Sequence, residues 1–570
     1  MIADELFADL ALVNGKVVTV DSHFSLVQAI AIKDNKIVAV GTNEKIKKFT
    51  GKHTEVRDLK GKAVLPGIND SHLHAVDYGG SRPPFVLDVG YPGIKSIRDI
   101  ARAVGEKAKT LKPGEWVRGS GWDEGYLEEC LKDPGRHPTR WDLDEASPRN
   151  PVCLIAYTGH EVWANSLALE MAAVTADTPL PLGGEIVKGP ANGEVSGILR
   201  ESPAMDMVMK LVPRWDKAYK RQSILTMMRE LNTRGITSIT DASLGPGGGD
   251  GGGLMDSECI SVYNDLSNEG QLSLRVSILY LLGQYGGCSF ADFQQFIPQI
   301  GIHSGFGNNL LRLAGIKIFA DGTPFAKTAW MYDDYPDGGN GSLVLPGKDD
   351  KERAEELKRM ILYAHKYGFQ LGIHTVGSQA TGLCIESFIQ AEREEPKGLR
   401  HYIIHGDFIS DRDIDLAARH SIGLNAQPVL KWVFSESIDR AVGEELSARQ
   451  WPLRKIIDAG VHVSAGSDAP VTAPDWLQGI QYAVRRVSRS GTVRGLEHRI
   501  TVAEAIRLFT MGGAWQDHAE HIKGSLEAGK LADLCILDRD ILNVAPEDIK
   551  DIRNLMTIVD GKVVYDTGEV

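Results

Sequence analysis

Cysteine is scarce in this 570-residue chain: there are six, at 130, 153, 259, 288, 384 and 535, with no Cys-x-x-Cys pair. That spacing argues against a zinc knuckle or a disulfide framework and leaves buried free thiols in a reducing compartment as the expectation. Long apolar runs are missing too, since no stretch approaches the roughly 20 residues that a membrane helix needs. The opening "MIADELFADL" has no positively charged segment leading into an apolar one, so a cytoplasmic location is expected. Basic residues are outnumbered, 63 Lys and Arg against 76 Asp and Glu, for a formal charge of −13. Nucleic acid and anionic membrane surfaces attract basic patches, so neither is an expected partner. A Gly-x-Ser-x-Gly elbow is absent, and the glycine tract 245–253 lacks the Gly-Lys-Ser/Thr of a phosphate loop. Serine hydrolase and P-loop chemistry are disfavoured accordingly.

What is present is an ordinary globular composition, 42% hydrophobic and 24% charged, in a chain long enough for two domains. The first 65 residues alternate apolar and polar positions around Asn-Gly and Asp-Asn turns, as short strands and hairpins do. Val13-Asn14-Gly15-Lys16-Val17-Val18 recurs near the other end as Val559-Asp560-Gly561-Lys562-Val563-Val564, which suggests that both ends share one sheet assembly. Between them, strand-like runs alternate with helical segments. In "KERAEELKRMILYAHKYG", Ala354, Leu357, Met360, Ile361 and Ala364 fall on one helical face. Thr501-x-x-Glu504 forms a capping box.

Strand-like runs after residue 61 lie at 62–72, 235–241, 273–282, 313–319, 369–374, 401–405, 421–427 and 461–468, eight in all. Eight strands alternating with helices close a TIM-type barrel. Residues 76–234 fit no single strand–helix unit and read as an α/β insertion after the first barrel strand, overhanging the barrel mouth. The glycine tract follows the second strand and reads as a flexible loop at that mouth.

The chemistry concentrates at strand ends. In "NDSHLHA", residues 69–75, side chains of an extended chain alternate faces, so His72 and His74 point the same way. Lys317, His374, His405 and Asp468 lie at or near the ends of four further predicted strands. Taken singly each has an ordinary explanation: a hydrogen-bonded core histidine, a buried ion pair, a cap. In a TIM barrel, however, C-terminal strand ends converge on one site. Imidazoles and a carboxylate converging there, with a position left for water, suit a catalytic zinc ion.

"PGINDSHLHA", "GIKIFADGTP", "GIHTVG", "RHYIIHGD", "GSDAPV" and "KGSLEAGKLADLCILD" together resemble the metal-dependent amidohydrolase superfamily, specifically amidohydrolase family 3, the branch containing N-substituted formamide deformylases. The resemblance spans nearly the whole chain. It implies a TIM-like (β/α)8 barrel at 62–514, interrupted by an insertion at about 76–234, and a composite β-sandwich domain from 1–61 and 515–570. It implies His72, His74, His374 and His405 as metal ligands, Asp468 as ligand and catalytic proton shuttle, and Lys317 as a bridging ligand. A buried lysine can lose its charge and, as a neutral amine, add carbon dioxide to become a carbamate able to bridge two metals. The alternative is an unmodified Lys317 beside one metal.

The cofactor expected is therefore zinc, one or two ions, with a carbamylated Lys317 in the binuclear case. The expected reaction is hydrolysis of an amide-type C–N bond, of an N-formyl or N-acyl amine, by a metal-activated water. Deamination, cyclic amide or ester opening on the same site, and a non-catalytic scaffold are the alternatives. The expected partner is a small-molecule amide substrate, with homo-oligomerisation left open. His160, Trp163, Asn165 and Trp122 in the inserted region also look family-like and are candidates for substrate binding, with packing inside the insertion as the other reading. Family members often carry Gly-Asp after the strand-five histidine and Glu before the strand-six one, where this chain has Gly377-Ser378 and Ile404. Such neighbours orient ligands and substrate.

Overall fold

The computed structural model describes residues 7–570 apart from 92, 134, 158, 160, 180–183, 190–192, 249–252 and 284–287. Residues 249–252 of the glycine tract therefore lie outside the described residues. The chain divides into two compact units: Met1–Ala75 with Leu225–Gly248 and Met255–Val570, and Val76–Ile224 with Gly249–Leu254.

The larger unit is built on an eight-stranded parallel sheet in sequence order. Its strands are β1 Ile68–Leu73, β2 Ile236–Leu244, β3 Arg275–Leu281, β4 Leu311–Phe319, β5 Gln370–Thr375, β6 Tyr402–His405, β7 Gly423–Ala426 and β8 Val463–Ala465. All eight fall inside or across the runs expected from the sequence. Ser71 Oγ donates to Ala465 O at 2.7 Å, and Asp468 N donates to His72 O at 2.8 Å, joining first strand to last. The result is the TIM-like barrel that eight strand–helix repeats favour. The helix Asp350–Lys366 buries Leu357, Met360, Ile361 and Ala364 as its period requires, while Ala354 is half-buried. At the capping box, Thr501 Oγ1 accepts from Glu504 N at 3.2 Å and Glu504 Oε2 accepts from Thr501 N at 2.8 Å.

Both chain ends build the accompanying β-sandwich. One sheet orders strands 36–41, 29–33, 10–13 and 55–58; the other orders 562–566, 554–559, 534–537, 63–66, 16–18 and 26–27. Leu12, Val17, Ile30, Val64, Leu534, Ile536 and Ile558 fill the space between them. Two expectations change here. The run 62–72 is two strands: Ala63–Pro66 pairs antiparallel with Leu534–Leu537 in the sandwich, and Ile68 starts the barrel. Gly67 makes the transition, because a Cβ there would sit 2.1 Å from Thr237 Oγ1. The two Asn/Asp-Gly repeats also differ in use. Val559 and Lys562 flank a true hairpin, with Asp560 and Gly561 at φ 52° and 76°, the left-handed pair that a tight antiparallel turn requires. Asn14-Gly15 instead passes the chain from one sheet to the other.

The smaller unit carries its own six-stranded sheet, in the order 185–188, 195–200, 161–164, 152–156, 117–122 and 87–88. Trp122 and Trp163 pack edge to face in its core, ring centroids 5.7 Å apart. Among the described residues no helix is long and apolar enough to cross a membrane. The six cysteines are free, and five of them are buried.

Candidate metal centre

Parallel register carries the predicted residues to one end of the barrel. Phe319 pairs with His374 and Thr375 with His405, so the ends of β4, β5 and β6 are level. His72 and His74, on and just past β1, share a face as alternation demands. Their Nε2 atoms lie 3.2 and 3.4 Å from the same oxygen of Asp468, which follows β8. Ring centroids are 5.6 Å apart for His72 and His74, 5.3 Å for His72 and His405, and 4.5 Å for His374 and His405. A Cβ on Gly466 would meet the His72 main chain at 2.6 Å, so only glycine lets β8 approach β1 this closely.

The backbone is strained at two of these residues: His405 has φ 70° and Asp468 φ 57°, a region that costs a non-glycine residue on the order of 1 kcal/mol or more. Hydrogen bonds hold both in place. Trp451 Nε1 donates to His405 O at 2.6 Å, and Asp468 N is tied to His72 O.

Burial sets the electrostatics. It pushes His72 and His374 down to about 3, with the Lys317 charge adding to the effect, and holds His405 well below the usual imidazole range. All three imidazoles are therefore neutral, as metal ligation requires. Burial also lowers Lys317 to about 7. For Asp468 burial acts upward, but hydrogen bonding from His72 and His74 prevails and holds the carboxylate well below its usual range.

The donor set fits a divalent cation. Nδ1 of His72, Nδ1 of His74 and Nζ of Lys317 are buried without a hydrogen-bond partner, a costly condition unless something else satisfies them. Nearby donors are already oriented: His405 Nδ1 is 2.8 Å from Gln427 Oε1, and His374 Nε2 is 3.4 Å from Gly322 O. A second group, His365, Glu392 and His401, also lies close together. Its nitrogens are occupied, however. Leu371 N donates to His401 Nδ1 at 3.0 Å, the two imidazoles are 2.8 Å apart, and His365 Nε2 is 2.7 Å from Glu395 O. Glu392 accepts from three main-chain N–H groups of residues 397–399.

Three candidates for substrate binding follow the packing alternative. Trp122 and Trp163 are buried, and their indole N–H groups donate to Leu154 O and Thr139 O, each at 2.9 Å. Asn165 caps the helix Ser166–Met171 and bonds the main chain of residues 147, 150 and 152. These side chains are spent on the core of the smaller unit, where apolar rings and an amide with filled valences are most stable. His160 lies outside the described residues.

Strand seven supplied no candidate from the sequence, yet it leads into Gln427, which is hydrogen-bonded to His405. Asp70 and Asp321 were also missed. Burial raises each to about 7; Asp70 accepts from Ser467 N at 2.9 Å, and Asp321 accepts from Trp330 N, Val376 N and Gly377 N at 2.8–2.9 Å. Asp70 is two residues from His72 and so on its face of β1, the signal that could have found it.

Residues 55–565 match the family model described as "Amidohydrolase family". The chain belongs to the amidohydrolase family. N-substituted formamide deformylase of Arthrobacter pascens is 28% identical over 98% of both chains. Protein LONG AFTER FAR-RED 3 of Arabidopsis thaliana is also 28% identical, over 98% of this chain and 92% of its own. Among solved structures, an uncharacterized metal-dependent hydrolase from Pyrococcus horikoshii superposes with a TM-score of 0.73 at 25% identity, covering 94% of this chain and 99% of that one. This amidohydrolase thus shares nearly its whole length with both of those relatives.

Proposed function

We propose that this amidohydrolase hydrolyses the C–N bond of an N-formyl or N-acyl amine at a zinc centre held by His72, His74, His374, His405 and Asp468. The observation that carries this reading is that His72 and His74 both face one oxygen of the Asp468 carboxylate through Nε2, while Nδ1 of each is buried without a hydrogen-bond partner. The deformylase among the relatives favours an amide over other substrates of such a site. When bound, the ion would acidify a water molecule and polarise the substrate carbonyl. Asp468, ionised at rest, accepts the proton of that water at a carboxylate oxygen as the C–O bond forms, and returns it to the nitrogen as the C–N bond breaks. The products are a carboxylic acid and an amine.

As a carbamate, Lys317 would supply the site with an anionic ligand suited to a pair of metal ions. Its Nζ adds to carbon dioxide, one N–H proton leaves to solvent, and the buried amine becomes an anion. The support is an ammonium position with neither hydrogen bond nor ion pair. Turnover of a panel of N-formyl and N-acyl amines, with and without a chelator, tests the function. Hydrolysis abolished by chelation and restored by zinc is expected; chelator-insensitive hydrolysis, or none on any amide, overturns it.

A further inference from the structure

Gln427 sits between β7 and the helix Pro428–Val442, fully buried. Its Oε1 is 2.8 Å from His405 Nδ1. Its Nε2 donates to Asn425 O at 3.1 Å and to Asn425 Oδ1 at 2.6 Å. Asn425 in turn uses Nδ2 toward Ser71 O at 3.1 Å, Ser71 Oγ at 2.9 Å, Ser464 Oγ at 2.8 Å and Gln516 Oε1 at 2.8 Å. Gln516 completes the chain by donating from Nε2 to Ser71 O at 3.0 Å.

The direction of this chain is fixed by groups that cannot reverse. Asn425 O and Ser71 O are main-chain carbonyls and only accept. Turning Gln427 over would set its oxygen against Asn425 O; turning Asn425 over would set its oxygen against Ser71 O. Either reversal would leave two acceptors face to face in a buried site, a costly arrangement. Gln427 must therefore face His405 with an oxygen. That oxygen carries no hydrogen, so Nδ1 of His405 must carry it, and Nε2 keeps its lone pair.

We infer that Gln427, oriented by Asn425, is a positioning residue that locks His405 in the Nδ1–H tautomer and so presents Nε2 to the metal. This inference rests on the metal centre proposed above. An amide is suited to the role: unlike a carboxylate, it orients the ring without adding a buried charge.

The test combines two readouts. Zinc affinity, by competition with a chromophoric chelator, should weaken about 10- to 100-fold in Gln427→Leu, the usual effect of losing a group behind a metal-binding histidine. An unchanged affinity in Gln427→Leu overturns the inference. The second readout is the ring nitrogen shifts of histidine-labelled, metal-free wild type, assigned with His405→Gln. A protonated Nδ1 at His405 supports the lock, and a protonated Nε2 overturns it even if Gln427→Leu fails to fold. A wild-type chain that takes up no zinc fails the metal centre instead, and the tautomer measurement still decides the lock.

Discussion

Replacing Asp468 with asparagine isolates the proton shuttle from the fold. The residue sits at φ 57°, a conformation that asparagine tolerates almost as well as aspartate and alanine does not, so Asp468→Asn adds little backbone strain. Size and shape are kept, and the new amide can donate to His72 Nε2, now 3.2 Å from the carboxylate. What is lost is a group able to take a proton. Positioned acid–base groups contribute roughly 10²- to 10⁴-fold, which is about 3–5 kcal/mol of barrier. The expected result is a fall in kcat of that size, with a melting temperature of the metal-free protein close to wild type. Steady-state hydrolysis of an N-formyl amine, alongside thermal unfolding, measures both. A kcat within about threefold of wild type would refute the proton-shuttle reasoning. Asp468→Ala serves as the comparison and should be less stable, by on the order of 1–2 kcal/mol, from left-handed strain alone.

Lys317→Met removes a buried Nζ that has no hydrogen-bond partner and fills most of its volume, so the metal-free protein should be as stable as wild type or more so, while metal content and turnover fall. Unchanged metal content, measured by elemental mass analysis, would exclude the bridging role. His401, pushed down to about 3 by burial and by the neighbouring His365, stays neutral in the folded chain while an unfolded imidazole protonates near 6.5. The unfolded state therefore binds the proton first, and stability is lost as pH falls below 6.5, by about 1.4 kcal/mol per unit for this group until about pH 3. Urea unfolding at pH 7, 6 and 5 should show a shallower decline in His401→Gln, and an identical slope would contradict the assignment.

The barrel was legible because its signals are local. Each βα unit carries its own apolar strand and periodic helix, and strand order follows sequence order, so the histidine of "GIHTVG" could be placed beside that of "YIIHGD" without knowing any long-range contact. His72, His74 and Asp468 converge from opposite ends of the chain only because the last strand returns to the first, which the strand count implied. What stayed hidden depends on contacts between distant residues of ordinary type. Gln427 and Asn425 read as polar positions on a short strand, and their meaning lies in Ser71, about 350 residues away. The tryptophans of the insertion look the same in a core as in a pocket, and only burial separates the two. Asn14-Gly15 and Asp560-Gly561 share a turn signature, yet one links two sheets and the other two neighbouring strands, because the pairing partners of residues 10–18 lie elsewhere in the chain.

Metal content per chain tests the central claim most directly. Protein reconstituted with zinc, desalted and measured by elemental mass analysis should hold about two equivalents, the number a bridged pair requires. The His72→Ala, His74→Ala double variant should hold one or none. No metal on the wild type, or the same content in the double variant, would contradict the account.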